Sequence, residues 1–199
     1  SSDLDDRVVL WTRVSPTDAA TPGSGVGPQV EVAWEVARDA RFRRVVRRGS
    51  VVTGPEHDHT VKVDAAGLEP GTWYHYRFRA LGRTSRVGRT RTAPAFDQKV
   101  EKFRFCFGSC QKYEAGNYAA QRLIAAEEPD LVLFLGDYIY ENKPTPGDVR
   151  VHLNPEPFDV AGYRVRYASY KLDPLLQAAH HAAPWSVIWD DHEVANLQP

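Results

Sequence analysis

Trp185-Ser186-Val187-Ile188-Trp189-Asp190-Asp191-His192-Glu193 decides how this chain is read. A short apolar strand runs straight into two adjacent carboxylates, an imidazole and a third carboxylate. Acidic groups this close repel one another unless a cation lies between them. The pattern occurs twice upstream. Phe103-Arg104-Phe105-Cys106-Phe107 leads into Gly108-Ser109-Cys110, and Leu131-Val132-Leu133-Phe134-Leu135 leads into Gly136-Asp137-Tyr138-Ile139-Tyr140. Three strands thus each end in groups able to ligate a metal.

Between these strands the period changes to that of helices. Asn117 is placed to cap a helix running to about Glu128, with Tyr118, Leu123, Ile124 and Ala125 toward a core, and Pro129 ends it. Residues 143 to 157 are rich in Pro and are read as an irregular insertion. Gly162 to about Ala179 reads as one helix or two, the second starting at Pro174. Leu131 to Leu135 is nearly continuous aliphatic, as expected of a strand covered on both faces. Strand–helix–strand–helix–strand predicts parallel pairing with right-handed crossovers, and ligands then bind at the carboxyl ends of the strands. All three clusters fall there.

Working back toward the N-terminus, residues 1–96 read as short strands with close turn signals, a β-sandwich. Candidate strands are Arg7 to Val14, Val30 to Val36, one or two within Phe42 to Val52, one at Val61 and Val63, and Val87 to Thr92. In another, Tyr74, Tyr76, Phe78 and Ala80 share one face. Leu68-Glu69-Pro70-Gly71-Thr72-Trp73-Tyr74 resembles the corner of fibronectin type III domains, where a tyrosine at the start of a strand bonds back to the preceding turn. His57-Asp58-His59 reads as a polar loop rather than a metal site. Arg41, Arg43, Arg44, Arg47 and Arg48 read as a solvated face. Ala93 to Asp97 reads as a linker, so 1–96 and 97–199 are the expected domains.

Composition limits the function classes. The chain has 199 residues, 42% hydrophobic and 26% charged, with a formal net charge of -1. That is ordinary globular material with no bulk electrostatic grip on nucleic acid or anionic lipid. No apolar run approaches the roughly 20 residues that span a bilayer. Met is absent even at position 1, which is expected of a processed chain or of a piece of a longer one. Two cysteines make no disulfide framework. In an extended segment Cys106 and Cys110 would lie about 13 Å apart, against the about 7 Å limit for a bridge, so no bond is expected. Cys106 is read as core and Cys110 as a ligand. Nothing here predicts an oligomeric state.

The chemistry these side chains permit is hydrolytic. Asp137, directly after a strand, can bridge two cations. Tyr140 lies three residues on, and phenolate favours Fe(III), because a strong charge is needed to displace a proton of pKa near 10. Cys110 as thiolate adds a further anionic ligand. Asp191 can hold a second, harder cation such as Ca²⁺ or Mg²⁺. His192 can hydrogen-bond a phosphoryl oxygen or protonate a leaving group. Asp190 and Glu193 would orient or balance these groups.

Taken together, Phe107-Gly108-Ser109-Cys110-Gln111, Leu135-Gly136-Asp137-Tyr138-Ile139-Tyr140-Glu141 and Trp189-Asp190-Asp191-His192-Glu193-Val194 resemble the PhoD-type alkaline phosphatases, a branch of the calcineurin-like metallophosphoesterases. Tyr163 to Pro184 is similar as well. Val8 to Val14 resembles a strand of the family's N-terminal β-domain. The resemblance implies the layered α/β fold of a metallophosphoesterase after residue 96. It also implies a secreted phosphomonoesterase and phosphodiesterase that uses Fe(III) and Ca²⁺. Cys110, Asp137 and Tyr140 fall on its iron positions, with Asp137 shared with calcium. Asp191-His192-Glu193 is similar to an Asn-His-Glu motif, with Asp191 on metal and His192 on phosphate. Asn196 falls on an asparagine expected at the substrate. Export by the twin-arginine route to the periplasm, the cell wall or the medium is a further implication. Later strands of such enzymes supply more ligands, so this chain is expected to be part of a longer enzyme with an incomplete site. Two alternatives stay open at this point: a phospholipase D-like phosphodiesterase of the same superfamily, which the same residues would serve, and a non-catalytic secreted binding module.

Overall fold

A computed structural model describes residues 5–194. The chain divides into two compact units, Ser1–Phe103 and Arg104–Pro199. Each is described by itself.

The first unit is built of strands. β1 (Val8–Arg13) pairs antiparallel with β4 (Thr60–Ala65). A second antiparallel sheet holds β2 (Val30–Ala37), β3 (Val45–Thr53), β5 (Trp73–Ala80), β6 (Arg83–Thr84) and β7 (Gly88–Arg91), in the order β3-β2-β5. The far edge of β5 is shared by β6 and β7. Alternation fixes which residues face in. Val8 and Leu10, Val61 and Val63, Val30, Val32 and Val36, and Tyr74 and Phe78 form one buried cluster drawn from both sheets. Tyr76 and Ala80 pack against it, as the shared face predicts.

Two loops of this unit carry polar anchors. The Tyr74 hydroxyl accepts the Glu69 N–H at 2.9 Å, the expected bond from strand back to turn. In His57-Asp58-His59 the buried Asp58 binds Arg13 at 3.1 Å and accepts the Gly23 N–H at 2.8 Å, and His59 meets the Pro28 carbonyl at 3.0 Å. The segment is therefore a structural polar loop. Arg41, Arg43, Arg44, Arg47 and Arg48 are exposed.

The second unit alternates. β8 (Phe105–Gly108), α1 (Ala119–Glu127), β9 (Leu131–Leu135), α2 (Val160–Lys171), α3 (Pro174–Ala182) and β10 (Trp185–Ile188) follow in order. The strands form a parallel sheet in the order β10-β9-β8. Tyr118, Phe134, Tyr138, Ile139, Tyr170 and Leu176 make its core. Trp185 stacks on Phe134 and on His180. Pro174 starts α3, and Asp173 caps it by accepting the N–H groups of Leu175 and Leu176. Residues 136–159 form no regular helix or strand.

Three local expectations are corrected. α1 is not capped by Asn117; it begins at Ala119 with Tyr118 at the cap position, because the Tyr118 hydroxyl is drawn to the Gln111 carbonyl at 2.8 Å. Its inward residue is Gln121, bonded to Gln111 at 2.9 Å, while Leu123 is 62% exposed. β9 is covered on one face only: Val132 and Phe134 are buried, whereas Leu135 is 48% exposed and lies on the same open face as Phe105 and Phe107. Cys106 is half-buried rather than core; as expected, it and Cys110 are not bonded to each other.

Candidate metal centre

Apart from Tyr140, the site residues sit in the turns just after strands. Cys110 follows β8, Asp137 follows β9 and Asp191-His192 follows β10. Two of these turns use unusual backbone. Cys110 has φ 57° and Asp137 φ 52°, left-handed values that L residues other than Asn and Asp rarely adopt. Gly136, at φ 97°, is required by space as well: a Cβ there would lie 2.5 Å from the Asp190 Cβ and 3.1 Å from the Asp190 nitrogen.

Hydrogen bonds between the turns hold this backbone in place. The N–H of Cys110 donates to the Gly136 carbonyl at 3.2 Å, and that of Gln111 to the Asp137 carbonyl at 3.1 Å. From the other side the buried Glu193 carboxylate accepts from the N–H of Asp137 at 3.1 Å, Tyr138, Ile139 at 3.4 Å and Asp190 at 2.7 Å. One acidic side chain thereby joins the turn after β9 to the turn after β10.

The side chains then converge on Asp137. Its Oδ2 accepts the Tyr140 hydroxyl at 3.1 Å and faces the Cys110 Sγ at 3.4 Å. Its Oδ1 is buried with no hydrogen-bond partner. Asp137, Asp191 and His192 offer ligand atoms all within 4.8 Å of one another. A buried carboxylate oxygen without a donor costs roughly 1–3 kcal/mol, and a cation removes that cost. The carboxylate and phenol are hard oxygen donors suited to a highly charged ion, and the thiol adds a softer anionic ligand of the kind iron also takes. Burial, and after it the hydrogen bonds and charges of Cys110 and Asp137, hold the Tyr140 phenol above its ordinary pKa. Its proton therefore leaves only to a strong positive charge. On these grounds the residues present fit the group that the resemblance implies.

His192 lies against the Tyr140 ring, centroids 4.1 Å apart. Its Nδ1 is 2.7 Å from Oε2 of the buried Glu141. A carboxylate only accepts, so Nδ1 carries the proton and Nε2 is left for another partner. Partial burial opposes the imidazolium, but the Glu141 hydrogen bond, with the charges of Glu141, Asp137 and Asp191, outweighs it and raises the His192 pKa.

Of the residues singled out from sequence, Cys110, Asp137, Tyr140, Asp191 and His192 are brought together. Asn196 lies outside the described residues. Glu141 was within a quoted motif but had no assigned part; its signal was an acid directly beside Tyr140 in a segment without regular structure. Glu193 gathers backbone N–H groups, which is a more specific orienting task than charge balance.

A cluster able to hold a cation, at the carboxyl ends of three parallel strands and preceded by a two-sheet β unit, defines a class of α/β protein with its chemistry at the mouth of the sheet. Comparison with known proteins places it more narrowly. The chain matches the PhoD-like phosphatase N-terminal domain over residues 3–94 and the PhoD-like phosphatase domain over residues 105–197. It is 47% identical over 198 residues to alkaline phosphatase D of Bacillus subtilis (strain 168), covering 97% of this chain and 34% of that protein. The solved structure of PhoD matches with a TM-score of 0.90 at 47% identity, covering 98% of this chain and 38% of that one. The chain belongs to the PhoD-like phosphatase family and spans 34–38% of the length of these two relatives.

Proposed function

We propose that this protein hydrolyses phosphate esters as a PhoD-type alkaline phosphatase. The observation that carries the reading is the convergence of Cys110, Tyr140, Asp191 and His192 on Asp137 in a chain 47% identical to an alkaline phosphatase D. Cys110, Asp137 and Tyr140 would hold Fe(III). Asp137 and Asp191 would hold Ca²⁺. When bound, the two cations supply positive charge to phosphoryl oxygens and acidify water. The chain's own residues do the rest. Glu141 holds the His192 Nδ1–H and favours the imidazolium, whose Nε2–H is then free to donate to a phosphoryl oxygen or to protonate the leaving group. Glu193 keeps Asp137 aimed at the site. Asn196 is assigned to the substrate by the family resemblance alone. The first unit is read as fibronectin type III-like on its Tyr74 corner, and the second as a layered metallophosphoesterase α/β domain. Export across the cytoplasmic membrane, by the twin-arginine route, follows from the family reading. Among the described residues no helix is long and apolar enough to cross a membrane.

The test is turnover of p-nitrophenyl phosphate against bis-p-nitrophenyl phosphate by the full-length protein, with metal analysis and a visible spectrum. Preferred monoester hydrolysis and a tyrosinate–Fe(III) band that disappears in Tyr140→Phe are expected. Equal or faster diester turnover would move the assignment to a phosphodiesterase. A colourless, metal-free protein that still hydrolyses either ester would contradict the ligand assignment.

A further inference from the structure

Residue 140 lies in a segment without regular structure, yet both of its backbone polar groups are held from one helix. Arg166 and Tyr170 lie four residues apart on α2, so they share a face one turn apart. Both are fully buried. The Tyr170 hydroxyl accepts the Tyr140 N–H at 2.9 Å, and Arg166 Nη1 donates to the Tyr140 carbonyl. The same two side chains reach the neighbouring loops. Tyr170 also accepts the Tyr113 N–H at 3.3 Å, and Arg166 donates to the carbonyls of Asn142 at 3.1 Å and Pro155 at 2.8 Å and to the Asn154 Oδ1 at 3.2 Å.

These acceptors of Arg166 are neutral oxygens, and the carboxylates of Glu114, Glu141 and Glu156 act on its charge from a distance. Burying a guanidinium is costly, and a well-packed apolar residue often stabilises a fold as much. What an apolar residue cannot do is hold these four oxygens, and the Asn154 carbonyl at 3.3 Å, in a fixed fan. We infer that Arg166 and Tyr170 are positioning residues, clamping the peptide groups on both sides of Tyr140 so that its phenol is delivered to Asp137. The inference rests on the reading of Tyr140 as an iron ligand.

Tyr170→Phe tests it with the loss of one oxygen and little change in volume. On the full-length protein, the iron dissociation constant is measured by chelator competition and the tyrosinate band by absorption, in the parent and in the Tyr140→Phe background. Removing a partner that orients a ligand typically weakens metal binding by about 10–100-fold. A weakening in that range with a shifted band is expected in the parent, and no change in iron affinity in the Tyr140→Phe background. Arg166→Lys, which keeps the charge but loses the fan, is expected to act in the same direction. Equal weakening in both backgrounds would show that Tyr170 acts on the fold at large, and that overturns the inference. So does an unchanged constant and band in Tyr170→Phe when Tyr140→Phe itself loses the band. If the parent holds neither iron nor band, the ligand reading fails and takes the clamp with it.

Discussion

Gly136 shows how one position can serve both the sheet and the site. Any side chain there meets the Asp190 Cβ and backbone rather than the end of a flexible chain, so the turn after β10 must move. Gly136→Ala is expected to destabilise the second unit by about 2–4 kcal/mol through left-handed strain plus the clash, read by urea unfolding, and to lower cation affinity in a titration. A second residue-scale prediction concerns His152. Its side chain and that of Glu114 are fully shielded, with Nδ1 and Oε1 3.4 Å apart. Burial, and after it the charge of Arg166, pushes the imidazole down to about 4 from 6.5. A depressed His pKa makes the folded state resist protonation. Its stabilising contribution is complete above pH 6.5 and is lost as pH falls toward 4, at most about 3 kcal/mol. Comparing unfolding of the parent with His152→Phe at pH 7 and pH 4 checks this: the parent should lose more than the variant.

At the scale of elements, the strands were legible where local sequence decides them. Leu131–Leu135 is recovered residue for residue, because an aliphatic run bounded by Asp130 and Gly136 leaves little choice. Pro174 likewise marked the start of α3. The start of α1 was misread because the residue at its cap position, Tyr118, makes no side-chain cap and instead anchors its hydroxyl on Gln111, a contact made by the fold. The convergence on Asp137 followed from topology, since parallel strands bring their carboxyl ends together. The clamp on Tyr140 and the Glu141–His192 pair were not legible, because each joins groups far apart in sequence. Asp173 gives the prediction for this scale. It caps α3 and binds Arg150 at 2.5 Å. Asp173→Asn should keep the cap and lose the ion pair. Asp173→Ala loses both and should cost about 1 kcal/mol more, within a total of roughly 3–5 kcal/mol for a broken buried pair.

For the whole molecule, each unit has a hydrophobic core of its own. The second unit leaves one sheet face open, with Phe105 55%, Phe107 69% and Ile188 54% exposed. Open apolar faces of this kind attract partners or dyes. Binding of a fluorescent hydrophobic dye by the 199-residue chain is expected, and Phe107→Lys should reduce it without lowering helix content by circular dichroism; unchanged dye binding would place the exposed surface elsewhere. The lacing of the three turns bears on motion. Loop amides ordinarily exchange with solvent deuterium almost as fast as free peptides. Here the amides of Cys110, Gln111, Asp137, Tyr138, Ile139, Tyr140 and Asp190 all donate inward. These loops should therefore exchange as slowly as the strands they follow. Four of those amides share the Glu193 carboxylate, so they should open together as a single cooperative event.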